Sequence, residues 1–251
     1  MGYYDLSKEH RIQFADKIQR AIELDLDNNR YINIQKYSAY NDTYVRKNVY
    51  LILGKMYRDD VTQRKNILAA IEVLYKDNDE KVRQTAVYAC GEIGKTDFDP
   101  ISKILEEALS DDHHSVRNAV IGALKQLGGK NPKSTLKFAK KYLHHPDPRI
   151  RQEIIHGIEL RGRTHPEDIL PLLAELQNDR DKKITKMIIH VLGQISYKKG
   201  CIEKVVAHLK TWNNQILVEK ALEEIIDVHK RYSKFSHKSP KEVQEYIRKE
   251  F

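Results

Sequence analysis

One pattern returns six times along this chain, and it limits the fold more than any other feature. The segments begin at Asp42 (DTYVRKNVYLILG), Asp79 (DEKVRQTAVYACGEIG), His113 (HHSVRNAVIGALKQLG), Asp147 (DPRIRQEIIHGIELRG), Asp181 (DKKITKMIIHVLGQIS) and Asn214 (NQILVEKALEEIIDVH). Aligned on Arg46, Arg83, Arg117, Arg151, Thr185 and Val218, they are spaced 37, 34, 34, 34 and 33 residues apart. A period of this length held over most of a chain is the signature of stacked repeats, each too small to bury its own apolar face.

Each unit reads as an antiparallel helix pair. Asp42, Asp79, Asp147, Asp181 and Asn214 stand where a side-chain oxygen can accept hydrogen bonds from first-turn amides, with His113 replacing the acid in the third unit. Apolar residues recur one before the Arg position and three, seven and ten after it, as in Val82, Ala86, Cys90 and Ile93 or Ile184, Ile188, Leu192 and Ile195. That spacing lays one stripe on a helix. Gly94, Gly128, Gly162 and Ser196 fall eleven after the Arg position, where a left-handed residue is expected to end the helix. Pro100, Pro132 and Pro166 are placed to open the partner helices. Residues 5–24 read as an extra N-terminal helix and 240–250 as a C-terminal one, capping the repeats at 30–229.

Helix–turn–helix units at this period, with Asp-x-x-Val-Arg on the second helix, resemble the HEAT-repeat family, including its short subclass first noted in phycobilin lyases. The resemblance implies an all-α fold, a right-handed α-solenoid of about six helix pairs, and residues 1–251 form one solenoid on this reading. It also implies that the recurrent Arg pairs with a neighbouring repeat's Asp and caps turns, rather than forming a phosphate ladder. Function does not follow from the fold, because such solenoids host scaffolds, enzymes and nucleic-acid binders alike.

Charge narrows the class of partner. The net charge is +8, and residues 129–212 alone hold 17 Lys+Arg against 9 Asp+Glu. A local basic field favours an acidic macromolecule: a DNA or RNA backbone, or an acidic protein. No apolar run approaches the ~20 residues of a membrane span. The N-terminus has no signal core, and Cys90 and Cys201 are too few for a disulfide framework, so a cytoplasmic monomer is expected.

In a HEAT-type solenoid the second helices line the binding face. There the position one after the Arg supplies Gln84, Asn118, Gln152 and Lys186, and the position five after it supplies Tyr88, His156 and His190, with Leu51, Gly122 and Glu223 in the remaining units. Lys125, Arg161, Arg163 and Lys198 add charge nearby. Amides, planar rings and cations along one face suit a phosphate backbone with stacked bases, and also an acidic peptide.

His156 and His190 share a register, so an ion between adjacent repeats is conceivable. The di-iron hydroxylases built on HEAT repeats use His-Glu dipeptides, and this chain has no His-Glu step, so neither metal nor cofactor is expected. The alkylpurine DNA glycosylases of HEAT-like architecture place a catalytic Asp among tryptophans. Here the single tryptophan, Trp212, lies at a late turn, and the first Asp of the inner rows is Asp227. The reading is therefore a non-enzymatic scaffold for an acidic macromolecule, nucleic acid ahead of protein, with a glycosylase of this type as the alternative.

Overall fold

In the computed structural model, which describes residues 2–251, fourteen α-helices account for the fold and no strand is present among the described residues. A 3-10 turn (Tyr3–Asp5) precedes α1 (Lys8–Asp27). Six pairs follow: α2 (Ile32–Ser38) with α3 (Thr43–Asp59), α4 (Arg64–Tyr75) with α5 (Glu80–Ile93), and α6 (Asp99–Ala108) with α7 (His114–Lys130). Next come α8 (Pro132–Tyr142) with α9 (Pro148–Gly162), α10 (Pro166–Glu175) with α11 (Lys182–Ser196), and α12 (Cys201–Leu209) with α13 (Gln215–Arg231). The last helix is α14 (Pro240–Glu250).

These helices form two compact units, the first ending at Asn131 and the second running Pro132–Phe251. In the first, α3, α5 and α7 lie side by side as one layer, α4 packs on α6 behind them, and α1 covers α2, α3 and α4. In the second, α9, α11 and α13 form one layer and α8, α10 and α12 the other, with α14 against α13.

The apolar stripe accounts for both cores. Val82, Ala86, Cys90 and Ile93 are buried in the first unit, as are Ile184, Ile188, Leu192 and Ile195 in the second. At about 25 cal/mol per Å² of apolar surface, burying such side chains is the main force holding repeat on repeat. Asp42, Asp79, Asp147, Asp181 and Asn214 each cap the following helix through the side chain, and His113 does so through Nδ1 to the Ser115 amide. Pro100, Pro132 and Pro166 sit in the first turns of α6, α8 and α10, where their missing N–H is not needed.

The repeated arginines are structural. Arg83 donates through Nε and Nη2 to both oxygens of Asp111, at 2.8 and 3.0 Å, and through Nη1 to the carbonyls of Asp77 and Asn78. Arg151 repeats the arrangement with Asp179, at 2.8 and 2.9 Å, and the carbonyls of His145 and Pro146. Arg46 and Arg117 likewise donate to the carbonyls of their own turns. The planar fork satisfies a turn and, for Arg83 and Arg151, bridges to the acid 28 residues on, so both are largely enclosed.

The glycine expectation is corrected. None of Gly94, Gly128, Gly162 or Ser196 is left-handed; the only positive φ values among the described residues are at Asn29 and Gly200. The requirement at Gly94 and Gly162 is space. A Cβ on Gly94 would meet Leu127 Cδ2 at 2.8 Å, and one on Gly162 would meet Ile169 Cδ1 at 2.3 Å and Ile195 Cγ2 at 2.9 Å. No helix among the described residues is long and apolar enough to cross a membrane.

Candidate functional site

Each unit gathers part of the residue set on the exposed side of its second-helix layer. In the first unit, Tyr50 on α3 and Tyr88 on α5 stack with centroids 5.1 Å apart and planes 29° apart. Gly122 on α7 makes room for this pair, since a Cβ there would meet Tyr88 Cε1 at 2.8 Å. The rings line a cleft of about 250 Å³ together with Thr43, Tyr44, Arg46, Lys47, Gln84 and Thr85. Burial pushes the Tyr50 phenol up to about 12 and raises that of Tyr88, so both keep their protons and act as flat donor groups. Gln84 accepts from Arg46 Nη2 at 3.3 Å and donates to the Ser115 carbonyl at 3.1 Å, so it ties three second helices together. Asn118 is exposed on α7, and Lys125 is half-buried further along it.

In the second unit a compact polar cluster forms between α9 and α11. Gln152, His156, Glu159 and Arg163 follow one another on α9 and its C-cap, and Lys186, His190 and Gln194 follow at four-residue steps on α11. Same-face spacing brings these rows together. Arg163 Nη2 donates to Glu159 Oε1 at 2.5 Å and to Gln194 Oε1 at 2.8 Å. Its guanidinium lies 5.7 Å over the buried Tyr197 ring, which Lys198 Nζ approaches at 4.5 Å. Glu159 is 2% exposed, so its charge is tolerable only because the guanidinium compensates it. His156 Nε2 and His190 Nε2 stand 3.4 and 3.8 Å from Glu159 Oε2. Among the described residues this is the one group of three that could share a metal ion, its donor atoms all within 4.8 Å of one another.

Other expected residues do not converge there. Arg161 is held by Asp168 on α10, Nε to Oδ2 at 2.7 Å, and only 15% of its side chain is exposed. A helix turns about 100° per residue, so Arg161 leaves α9 on a different side from Glu159. Trp212 is 2% exposed and donates through Nε1 to His208 Nδ1 at 2.8 Å, so the tryptophan belongs to the core. Asp227 is exposed and paired with Arg231 at 2.6 Å. Cys90 and Cys201 are buried, and burial raises both thiols, which suits packing and not nucleophilic or ligand chemistry.

Three participants were missed by sequence reasoning: Tyr50, Glu159 and Gln194. A signal for Glu159 was available. The position eight after the Arg is glycine at Gly54, Gly91 and Gly193, because the adjacent helix comes close there, and glutamate in α9. The same register holds Lys125 in α7 and Ile226 in α13, so only in α9 does it bury a carboxylate, which needs a partner that the cluster provides.

The exposed cations tell a separate story. In the second unit Lys133, Lys137, Arg180, Lys182, Lys183, Lys186 and Lys199 are exposed and without a charged or hydrogen-bonded partner among the described residues. Several of the unit's acids are occupied internally: Asp168 by Arg161, Asp179 by Arg151, Glu159 by Arg163, Glu167 by Lys204 and Glu250 by Lys210. Lys182, Lys186 and His190 form one row on α11.

Comparison with known proteins agrees with the architecture. No curated protein matches the chain. Among solved structures, AlkD2 from Streptococcus mutans shares 22% identity over 69% of this chain and 83% of its own, with a TM-score of 0.49. A structure of crescerin, which uses a TOG domain array to regulate microtubules in the primary cilium, shares 15% identity over 74% and 84%, with a TM-score of 0.50. A chain of the Pds5–Scc1 complex shares 12% identity over 90% of this chain but only 38% of its own, with a TM-score of 0.51. At such identities the likenesses with TM-scores of 0.50 and 0.51 speak for the fold alone. Residues 67–139 match the family profile of HEAT repeats, and the caps, stripes and turn arginines recur beyond that stretch, so the chain has the fold of a HEAT-like helical-repeat protein.

Proposed function

We propose that this chain is a non-catalytic binding scaffold for an acidic macromolecule, nucleic acid ahead of protein, and that the second unit supplies the electrostatic contacts. The observation that carries this reading is the set of partnerless cations. Residues 132–251 hold 24 Lys+Arg against 16 Asp+Glu, residues 1–131 hold 20 of each, and the surplus includes the exposed Arg180, Lys182, Lys183 and Lys186 around the start of α11. Cations already committed to internal acids cannot release counterions on binding; these can. The half-buried Gln152, His156 and His190 flank the row with planar and hydrogen-bonding groups. In the first unit, Tyr50, Tyr88 and Lys47 offer a platform on which a base or other flat group can stack.

The test is a fluorescence-anisotropy titration with mixed-sequence DNA and RNA at two salt concentrations. Affinity is expected to fall with salt at a slope near −0.9 per phosphate neutralised on duplex DNA, about −0.7 on single strands. Lys182→Glu/Lys183→Glu/Lys186→Glu is expected to weaken binding equally across sequences without lowering the melting temperature. Arg163 is left intact because it compensates buried Glu159. A triple variant indistinguishable from wild type removes nucleic acid and leaves a protein adaptor.

A further inference from the structure

We propose that His156, Glu159 and His190 form a site for one divalent transition-metal ion, zinc first, between α9 and α11. The three side chains offer two imidazole nitrogens and one carboxylate oxygen, the donor set that zinc accepts with a fourth position left to solvent. Their geometry is close to what an ion would impose. Ligand atoms ~2.0–2.1 Å from a tetrahedral centre lie about 3.3 Å apart; here Glu159 Oε2 is 3.4 Å from His156 Nε2 and 3.8 Å from His190 Nε2. Both gaps are close to that spacing, and the donor atoms of all three residues lie within 4.8 Å of one another.

The support around the donors is also what a ligand carboxylate needs. Arg163 holds Oε1, and is itself anchored by Gln194, so the carboxylate is oriented with Oε2 towards both imidazoles. His156 and His190 are 32% and 44% exposed while Glu159 is 2% exposed, so an ion has a path from solvent to a donor that cannot swing away. His156 and Glu159 are three apart on one helix and His190 comes from the next repeat, so the ion would clamp α9 to α11. Of the divalent ions, those that favour imidazole are selected over calcium and magnesium, which favour oxygen. The site stands whether or not the chain binds a polyanion.

The experiment uses the untagged, chelator-stripped full chain. Zinc is titrated by calorimetry, and cobalt is titrated by visible absorption as a probe of four-coordinate geometry. One ion per chain, with a rise in melting temperature that grows with free zinc, is the expected result. His156→Ala and His190→Ala should each weaken binding at least about tenfold and abolish the cobalt bands, while His114→Ala, a histidine in the first unit, leaves both unchanged. Glu159→Gln should also lose the bands; if that buried change prevents folding, the two histidine variants decide alone. No binding at submillimolar zinc, or binding that survives both histidine variants, overturns the site.

Discussion

The two units are built from the same repeat and differ in what they do with the positions the core leaves over. In the first, the register eight after the repeat arginine is glycine in α3 and α5, and the helices close on one another: a Cβ on Gly91 would meet the Ala123 Cβ at 2.9 Å. In the second, α9 holds Glu159 there and needs Arg163 to compensate it. Five after the arginine the first unit has Leu51, Tyr88 and Gly122, whereas the second has His156, His190 and Glu223. The first unit is electrically balanced and the second carries the whole surplus. Caps, stripes and turn arginines set the architecture in both, so chemical character can change at neighbouring positions without disturbing it. Folding energy and site chemistry occupy different registers of the same helices.

If the turn arginines are equivalent across the units, their loss should be the largest and most symmetrical effect. Arg83→Ala and Arg151→Ala are each expected to cost about 3 kcal/mol, because removal strands an enclosed carboxylate and two turn carbonyls. Urea melts check this. Normal melting with lost polyanion affinity would make these arginines ligand contacts and abolish the equivalence.

The charge contrast should appear in binding. Lys182→Glu/Lys183→Glu/Lys186→Glu in the second unit is expected to weaken DNA binding on the order of thirtyfold, roughly 2 kcal/mol, through lost phosphate contacts. Lys103→Glu in the first unit, whose lysine is 85% exposed beside Glu107, should change affinity less than about twofold. Equal losses from both would spread the interface over the chain.

Glycines divide the helices into crowded and open places. Gly162→Ala, which drives a Cβ onto Ile169 and Ile195, should lose about 1–3 kcal/mol. Gly129→Ala on α7, with nothing within 4 Å, should gain about 0.5–1 kcal/mol from helix propensity. Thermal denaturation of the two variants decides whether space is the reason for Gly162.

The smallest effect is a pH dependence that two histidines give the second unit. Burial lowers the pKa of both His208 and His229. His208 Nδ1 must be unprotonated to accept from Trp212, and the ring of His229 bonds the Ile225 carbonyl at 2.7 Å. With folded-state values below the unfolded value of ~6.5, the unfolded chain binds protons first. Stability is therefore complete above that pH and declines as pH falls through it, by roughly 1 kcal/mol per unit for each histidine at most. Melting curves between mildly acidic and neutral pH should show this slope, and His208→Gln should flatten it; an unchanged slope would place the acid sensitivity elsewhere.

The repeat, its caps and its core stripe were legible because they are local: an Asp before a helix, and apolar residues at three- and four-residue steps, mean the same thing in any surroundings. The arginine's role was legible from the resemblance to HEAT repeats, since its recurrence alone would equally have suited a phosphate ladder. The C-terminal helix expected at 240–250 is present, and its start is fixed by Ser239 and Glu242, which form a capping box around the first-turn Pro240. The site was only partly legible. Sequence spacing placed Gln152, His156, Lys186 and His190 on facing rows, yet it could not tell that Arg161 turns to Asp168 while Arg163, two residues on, turns to Glu159 and Gln194. Nor could it show that Gly94 and Gly162 serve close packing and not a left-handed turn. What the sequence determined by itself is each helix and the face it buries, since those follow from hydrogen bonds and periodicity within a single turn or two. Which charges are free and which are consumed was decided only by the tertiary structure, because an ion pair depends on side chains brought within 3 Å from residues as far as 28 to 40 positions apart.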